Sequence, residues 1–196
     1  MDTLRYADVA WNEQLLDQLE WHWDHHLWPR FEQLSDDEYL WEPAPGCWSI
    51  RPRSEATTSM AAGAGDTVAD FEDPEPQPAP LTTIAWRLAH IAVGIFGERA
   101  ANHFGEPGSV TYPTTDWPLT AAGMRELLRH HHDAWVSGVK ALGENGLAHP
   151  CGPAEGPFAE YPMAALVLHI SREAIHHGSE VCLMGDFYRT TKGSNR

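Results

Sequence analysis

The sequence predicts an all-α protein, a four-helix bundle with long inter-helix loops. Apolar residues recur at helical spacing in four long segments, glycine and proline punctuate the stretches between them, and alternating strand patterns are nearly absent. At 196 residues the chain is most simply one domain, 1–196, long enough to bury a substantial core.

The first helix is predicted from about residue 6 to 34, with Leu16, Leu19, Trp23 and Leu27 on its apolar stripe. Pro29 should kink or interrupt it, because proline lacks the N–H and clashes with the preceding turn. Ser35, with Glu38 three residues later, has the capping-box pattern, and Leu34 and Tyr39 can staple the short turn that follows. The stretch WEPAPGCWSIRPR carries too many prolines for a regular element. Residues 54–80 are rich in small residues, acids and proline, and read as a long surface loop inserted between helices, with room for local mobility.

Thr82 or Thr83 can cap a second helix running to about His103. Its apolar residues lie on most sides, as a well-buried helix requires, and Gly105 and Pro107 end it. A third helix is expected from Thr120 to Leu142, with Met124, Leu128, Trp135 and Val139 inward and Gly143 as its stop. Residues 143–161 read as loop. Pro162 suits the first turn of a fourth helix, closed by Gly185.

Composition narrows the function classes. A formal net charge of -15 would repel a phosphate backbone, which argues against nucleic-acid binding. The three cysteines, Cys47, Cys151 and Cys182, form no CxxC pair and suggest a reduced setting. No apolar run approaches the roughly 18 residues of a membrane span, and the N-terminal segment is polar, so a soluble cytoplasmic protein is expected. The 12 histidines point instead to a divalent metal.

His169, Glu173 and His177 are spaced four residues apart in LHISREAIHHGSEV and stack along one helical face. Leu166, Ile170, Glu173, His177, Val181 and Met184 share one stripe, with Arg172, His176 and Ser179 to its side. On that geometry Glu173 and His177 point inward, and His169 sits at the edge. A carboxylate on an inner face costs several kcal/mol unless a cation or metal compensates it. His90, a lone histidine in the apolar second helix, is the best third donor; a hydrogen-bonded structural role is the alternative.

Of His130, His131 and His132, either His131 or His132 must abut the core, and the rest read as a solvated face. Trp41 and Trp48 lie in an irregular linker, as a lid over a pocket or a plug on the bundle end. Arg51, Arg53 and Arg172 are scarce cations in an acidic chain, suited to an anion or to plain ion pairs.

The segments LEWHWDHHLWPRFEQLSDDEYLWEPAPGCWSIRPR, TTIAWRLAHIAVGIFGERAANHFG and HISREAIHHGSEVCLMGDFYR resemble the DinB superfamily of metal-binding four-helix bundles. The resemblance implies one divalent ion held by a histidine of the second helix and a pair four residues apart on the last. Those positions are His90, Glu173 and His177. Many members carry histidine where this chain has Glu173; glutamate there is similar to the mycothiol-dependent maleylpyruvate isomerase branch, where two His and one Glu hold zinc. Zinc is therefore the expected metal, with nickel or iron as alternatives.

Characterised relatives use mycothiol or bacillithiol, so the resemblance implies a thiol S-transferase or isomerase joining a small-molecule thiol, with mycothiol as co-substrate, to a small electrophile. Three protein ligands leave one position on a tetrahedral metal open, where a thiol becomes a nucleophile near neutral pH. Trp48 is expected to hold the electrophile and Arg51 or Arg172 a carboxylate; no catalytic base is assigned. A metal-activated hydrolase and a non-catalytic metal-binding scaffold or sensor are the alternatives, and a homodimer through helix faces is an assembly the sequence allows.

Overall fold

The computed structural model describes residues 9–192. The expected start of the first helix at residues 6–8 lies outside them, as do the two ends of the expected domain.

The chain is mostly helical and follows four long helical paths. The first joins α1 (Trp11–His22), a π-helical turn (Trp23–Leu27) and α2 (Trp28–Phe31). The interruption expected from Pro29 takes the form of that widened turn, which relieves the clash between the proline ring and the preceding carbonyl. The capping box forms as expected: Ser35 Oγ accepts from the Glu38 N–H at 3.2 Å, the Glu38 carboxylate accepts from the Ser35 N–H at 3.0 Å, and α3 (Asp36–Tyr39) follows.

Within the segment read as linker and loop, β1 (Ile50–Pro52) pairs antiparallel with β2 (Thr67–Ala69), placing Ile50 opposite Ala69. Val68, Ala69 and Asp70 are fully buried. Asp70 is what locks this segment down: its carboxylate accepts from Ser49 N–H at 3.0 Å, Arg51 Nε at 2.7 Å and Thr57 N–H at 3.2 Å. The expected mobile insertion is thus, in this part, a packed wall.

The second path joins α4 (Ile84–Ala89), a π-helical stretch (His90–Gly97) and α5 (Glu98–Phe104). Thr83 caps it, its hydroxyl accepting from Trp86 N–H at 3.2 Å. The third path is α6 (Ala121–Leu147), and its backbone breaks at the expected stop, Gly143, with φ of 60°. Helical turns resume beyond it.

The fourth path, α7 (Met163–Thr191), begins immediately after Pro162 and runs past the expected stop at Gly185. Gly185 keeps a helical backbone because the extra turns find partners: Arg189 Nε lies 2.7 Å from Glu38 Oε1, and Tyr188 packs on Trp41 with ring centroids 5.5 Å apart. Trp41 thereby packs on the last turns of α7 through Phe187 and Tyr188.

One continuous apolar cluster fills the space between the paths, including Trp23, Phe31, Leu88, Phe96, Trp135 and Ile170. Each such buried side chain stabilises the fold by roughly 1.5–3 kcal/mol relative to exposure. His131 and His132 both join this buried layer, where only one of them was expected; His132 stacks on Trp23 at 4.1 Å. His130 stays exposed. Among the described residues, no helix is long and apolar enough to cross a membrane.

Candidate metal centre

Two helices deliver the centre. His90 opens the π-helical stretch of the second path, and π-helical turns are frequent where a side chain must be re-aimed at a functional site. His177 sits on α7, and the two imidazoles meet edge to face with centroids 5.0 Å apart. Glu173, one turn before His177, places Oε2 3.6 Å from His177 Nε2. The face assignment on α7 follows the burial: Leu166, Ile170 and Val181 are buried, Arg172, His176 and Ser179 exposed, and Glu173 and His177 half-buried at the boundary.

Each imidazole has its Nδ1 engaged, which leaves Nε2 as the free ligating atom. His177 Nδ1 lies 2.8 Å from Glu180 Oε2 and 3.3 Å from Arg87 Nη1. An ionised carboxylate only accepts, so the shorter contact fixes the proton on Nδ1 and the lone pair on Nε2. Arg87 in turn holds Glu180, Nε to Oε2 at 3.1 Å. His90 Nδ1 lies 2.9 Å from the Tyr112 hydroxyl, and its ring stacks on Trp86 at 5.7 Å. Gly94 permits that approach: a Cβ there would stand 3.0 Å from both His90 Nδ1 and the Tyr112 oxygen.

Burial, then the neighbouring His177 and Arg87, lowers the His90 pKa to about 4, so the ring is neutral at physiological pH, the form that ligates a metal. Two imidazole nitrogens and a carboxylate are donor types suited to zinc-type divalent ions. Tyr112, Arg87 and Glu180 carry no direct sign of this role in the residue order, although the last two sit three residues from His90 and His177 respectively.

A second donor group shares His177. His176, His177 and Glu180 offer ligand atoms all within 4.8 Å of one another, an arrangement compatible with a divalent cation. It lies on one turn of α7, its Glu180 already carries Arg87, and the His176 side chain is 64% exposed. His169 serves Glu173 rather than the inner face: its Nδ1 lies 3.6 Å from Glu173 Oε1 and receives Arg172 Nη2 at 2.8 Å.

A cavity of about 600 Å³ adjoins His90. Trp48, Phe71, Trp86 and Tyr112 supply its aromatic walls, with Met60 and Ala62 from the 54–80 segment. Trp48, buried, is thus a wall of the cavity, held against Trp86 at 5.6 Å.

Neither of the two arginines expected to hold a carboxylate lines this cavity. Arg51 is tied to Asp70 at 2.7 Å, Glu42 at 3.0 Å and the Cys47 carbonyl at 3.0 Å, and does not line the cavity. Arg172 is 68% exposed on the outer side of α7. The cation that does line the cavity is Arg99, whose Nη1 donates to the Gly94 carbonyl at 2.8 Å.

A family model for the DinB superfamily matches residues 18–181. No curated protein and no solved structure matches the chain.

Proposed function

The chain belongs to the DinB superfamily, and from that premise we propose that it is a metal-dependent enzyme, a low-molecular-weight-thiol S-transferase or isomerase acting on small electrophiles. His90, Glu173 and His177 hold the divalent ion, zinc first among the options, and a mycothiol-type thiol is the co-substrate. The observation that carries this reading is the meeting of His90 and His177 across two helices, beside a cavity that His90 lines.

When bound, the metal lowers the pKa of a coordinated thiol so that it is a nucleophile near pH 7. The protein's own residues set the stage. Glu180 and Tyr112 fix the two imidazoles by their Nδ1 atoms, so that neither ring turns away, as outer carboxylates and hydroxyls do around metal-binding histidines. Trp48, Trp86 and Phe71 hold an electrophile and exclude water from one side of the centre.

The thiol must come from outside the chain. Burial pushes the thiols of Cys47, Cys151 and Cys182 up, and none of the three lines the cavity. The cavity also favours catalysis over a scaffold or sensor, for which a closed, pocketless site suffices. Hydrolysis through the same centre is set apart by one control, activity without added thiol.

The test is thiol conjugation by zinc-loaded protein with mycothiol and a panel of electrophiles, alongside elemental analysis of Glu173→Ala. Adduct formation that needs both metal and thiol is expected, with metal content reduced in the variant. No adduct with any electrophile, together with unchanged metal in Glu173→Ala, overturns the reading.

A further inference from the structure

The charges around the cavity are lopsided. Four carboxylates line it, Glu72, Asp73, Glu75 and Glu98, against one guanidinium, Arg99. That guanidinium is already engaged: its Nη1 lies 3.4 Å from Glu98 Oε2 and its Nε 3.6 Å from Glu155 Oε1. Neither Arg51 nor Arg172 reaches the cavity to offset the acids.

Of these acids, Glu72 is held in place. Glu72 is tied to Ser59, Oε1 accepting the hydroxyl at 2.8 Å and Oε2 the N–H at 3.0 Å, which fixes it at the rim beside Phe71. Trp86 Nε1 donates to the Asp70 carbonyl at 2.7 Å, anchoring the 54–80 segment that carries the rim onto α4. The result is an aromatic chamber with an anionic mouth. Flat apolar groups gain from the rings, and a protonated amine gains from both the ring faces and the carboxylates. In the metal-free protein a carboxylate must enter against that net negative charge, with the one lining guanidinium already paired to Glu98 and Glu155.

We infer that this cavity takes arylalkyl amines, a flat apolar ring bearing a protonated nitrogen on a short alkyl arm, and disfavours arylalkyl carboxylates of the same size. Assigning such an amine as the enzyme's electrophile-bearing substrate rests on the metal-enzyme reading. The charge preference rests on the cavity alone.

Three near-isosteric probes test it by quenching of tryptophan fluorescence at pH 7 and low salt: 2-phenylethylamine, 2-phenylethanol and phenylacetate. The amine is expected to bind at least about ten-fold tighter than phenylacetate, with the alcohol between them and the spread shrinking in high salt. Phe71→Ala, at a 40% exposed position, should weaken all three together. In the quadruple variant Glu72→Gln, Asp73→Asn, Glu75→Gln, Glu98→Gln, the order should collapse while phenylethanol affinity holds.

Phenylacetate binding as tightly as the amine, a preference that survives in the quadruple variant, or no quenching by any probe at millimolar concentration each overturns the inference. The titration uses no thiol and is repeated after chelator treatment. Failure of the metal-thiol chemistry therefore leaves the charge order standing, and failure of the charge order leaves that chemistry untouched.

Discussion

Glu180→Gln separates the two ways of placing a metal around His177. In the proposed centre Glu180 never touches the ion; it receives His177 Nδ1 at 2.8 Å and is itself held by Arg87 at 3.1 Å. Glutamine keeps the size and one acceptor oxygen but loses the charge. A hydrogen bond to a charged group contributes about 1.5–3 kcal/mol, and solvent at a side chain 36% exposed trims that toward about 1.4–2 kcal/mol. That converts to about ten- to thirty-fold weaker metal binding, the range seen when outer partners of metal-binding histidines are removed.

The assay is a zinc titration of metal-free protein against a competing chelator, with stoichiometry from elemental analysis. Glu173→Ala, run in parallel, should weaken binding by more than about a hundred-fold, since it removes a ligand. His176→Ala should change affinity by less than about three-fold, because the exposed ring lies outside the proposed set. Loss of stoichiometric zinc in Glu180→Gln or His176→Ala, with binding retained in Glu173→Ala, would refute the reasoning. The ion would then sit on the outer turn of α7, held by His176, His177 and Glu180.

Tyr112→Phe removes the hydroxyl that orients His90 and should weaken zinc binding by roughly ten-fold, with folding cost near 1 kcal/mol; unchanged chelator competition would show that Tyr112 is only a wall. Asp70→Ala deletes a fully buried carboxylate with three hydrogen bonds and should cost about 3 kcal/mol, since Arg51 keeps Glu42, measured by urea unfolding; a loss under about 1 kcal/mol would mean that the 54–80 wall is not anchored there. The metal-free protein should lose stability as pH falls from about 6.5 to about 4. Unfolded histidines take up protons near 6.5, whereas burial holds His90 and His131 near 4, so the unfolded state binds more protons across that window. Thermal midpoints in chelator should be level above pH 7 and fall below it, less steeply in His131→Gln.

Much of this protein is legible locally. The caps at Ser35 and Thr83, the break at Gly143 and the inward stripe of α7 all follow from energies within a turn or two of chain, so they can be read from residue order. The spacing that puts Glu173 and His177 on one face is of the same kind, and the apolar setting singles out His90 as the histidine to meet them. Trp48 was legible as an aromatic out of place, a lid over a pocket or a plug, and packing placed it in the cavity wall.

Tertiary structure decided the rest, through contacts between residues far apart in sequence. Tyr112 meets His90 across 22 residues and Arg87 meets His177 across 90, pairings with no local signature. Asp70, unremarkable in an acidic stretch, ties Arg51 away from the cavity and anchors residues 54–80, which supply part of the cavity wall. Glu38 carries α7 past Gly185. The helices, and which donors share a face, follow from residue order alone, because helix periodicity and capping are local. Only packing decided what surrounds those donors, because the charge that each buried group finds beside it depends on which distant segments the core brings together.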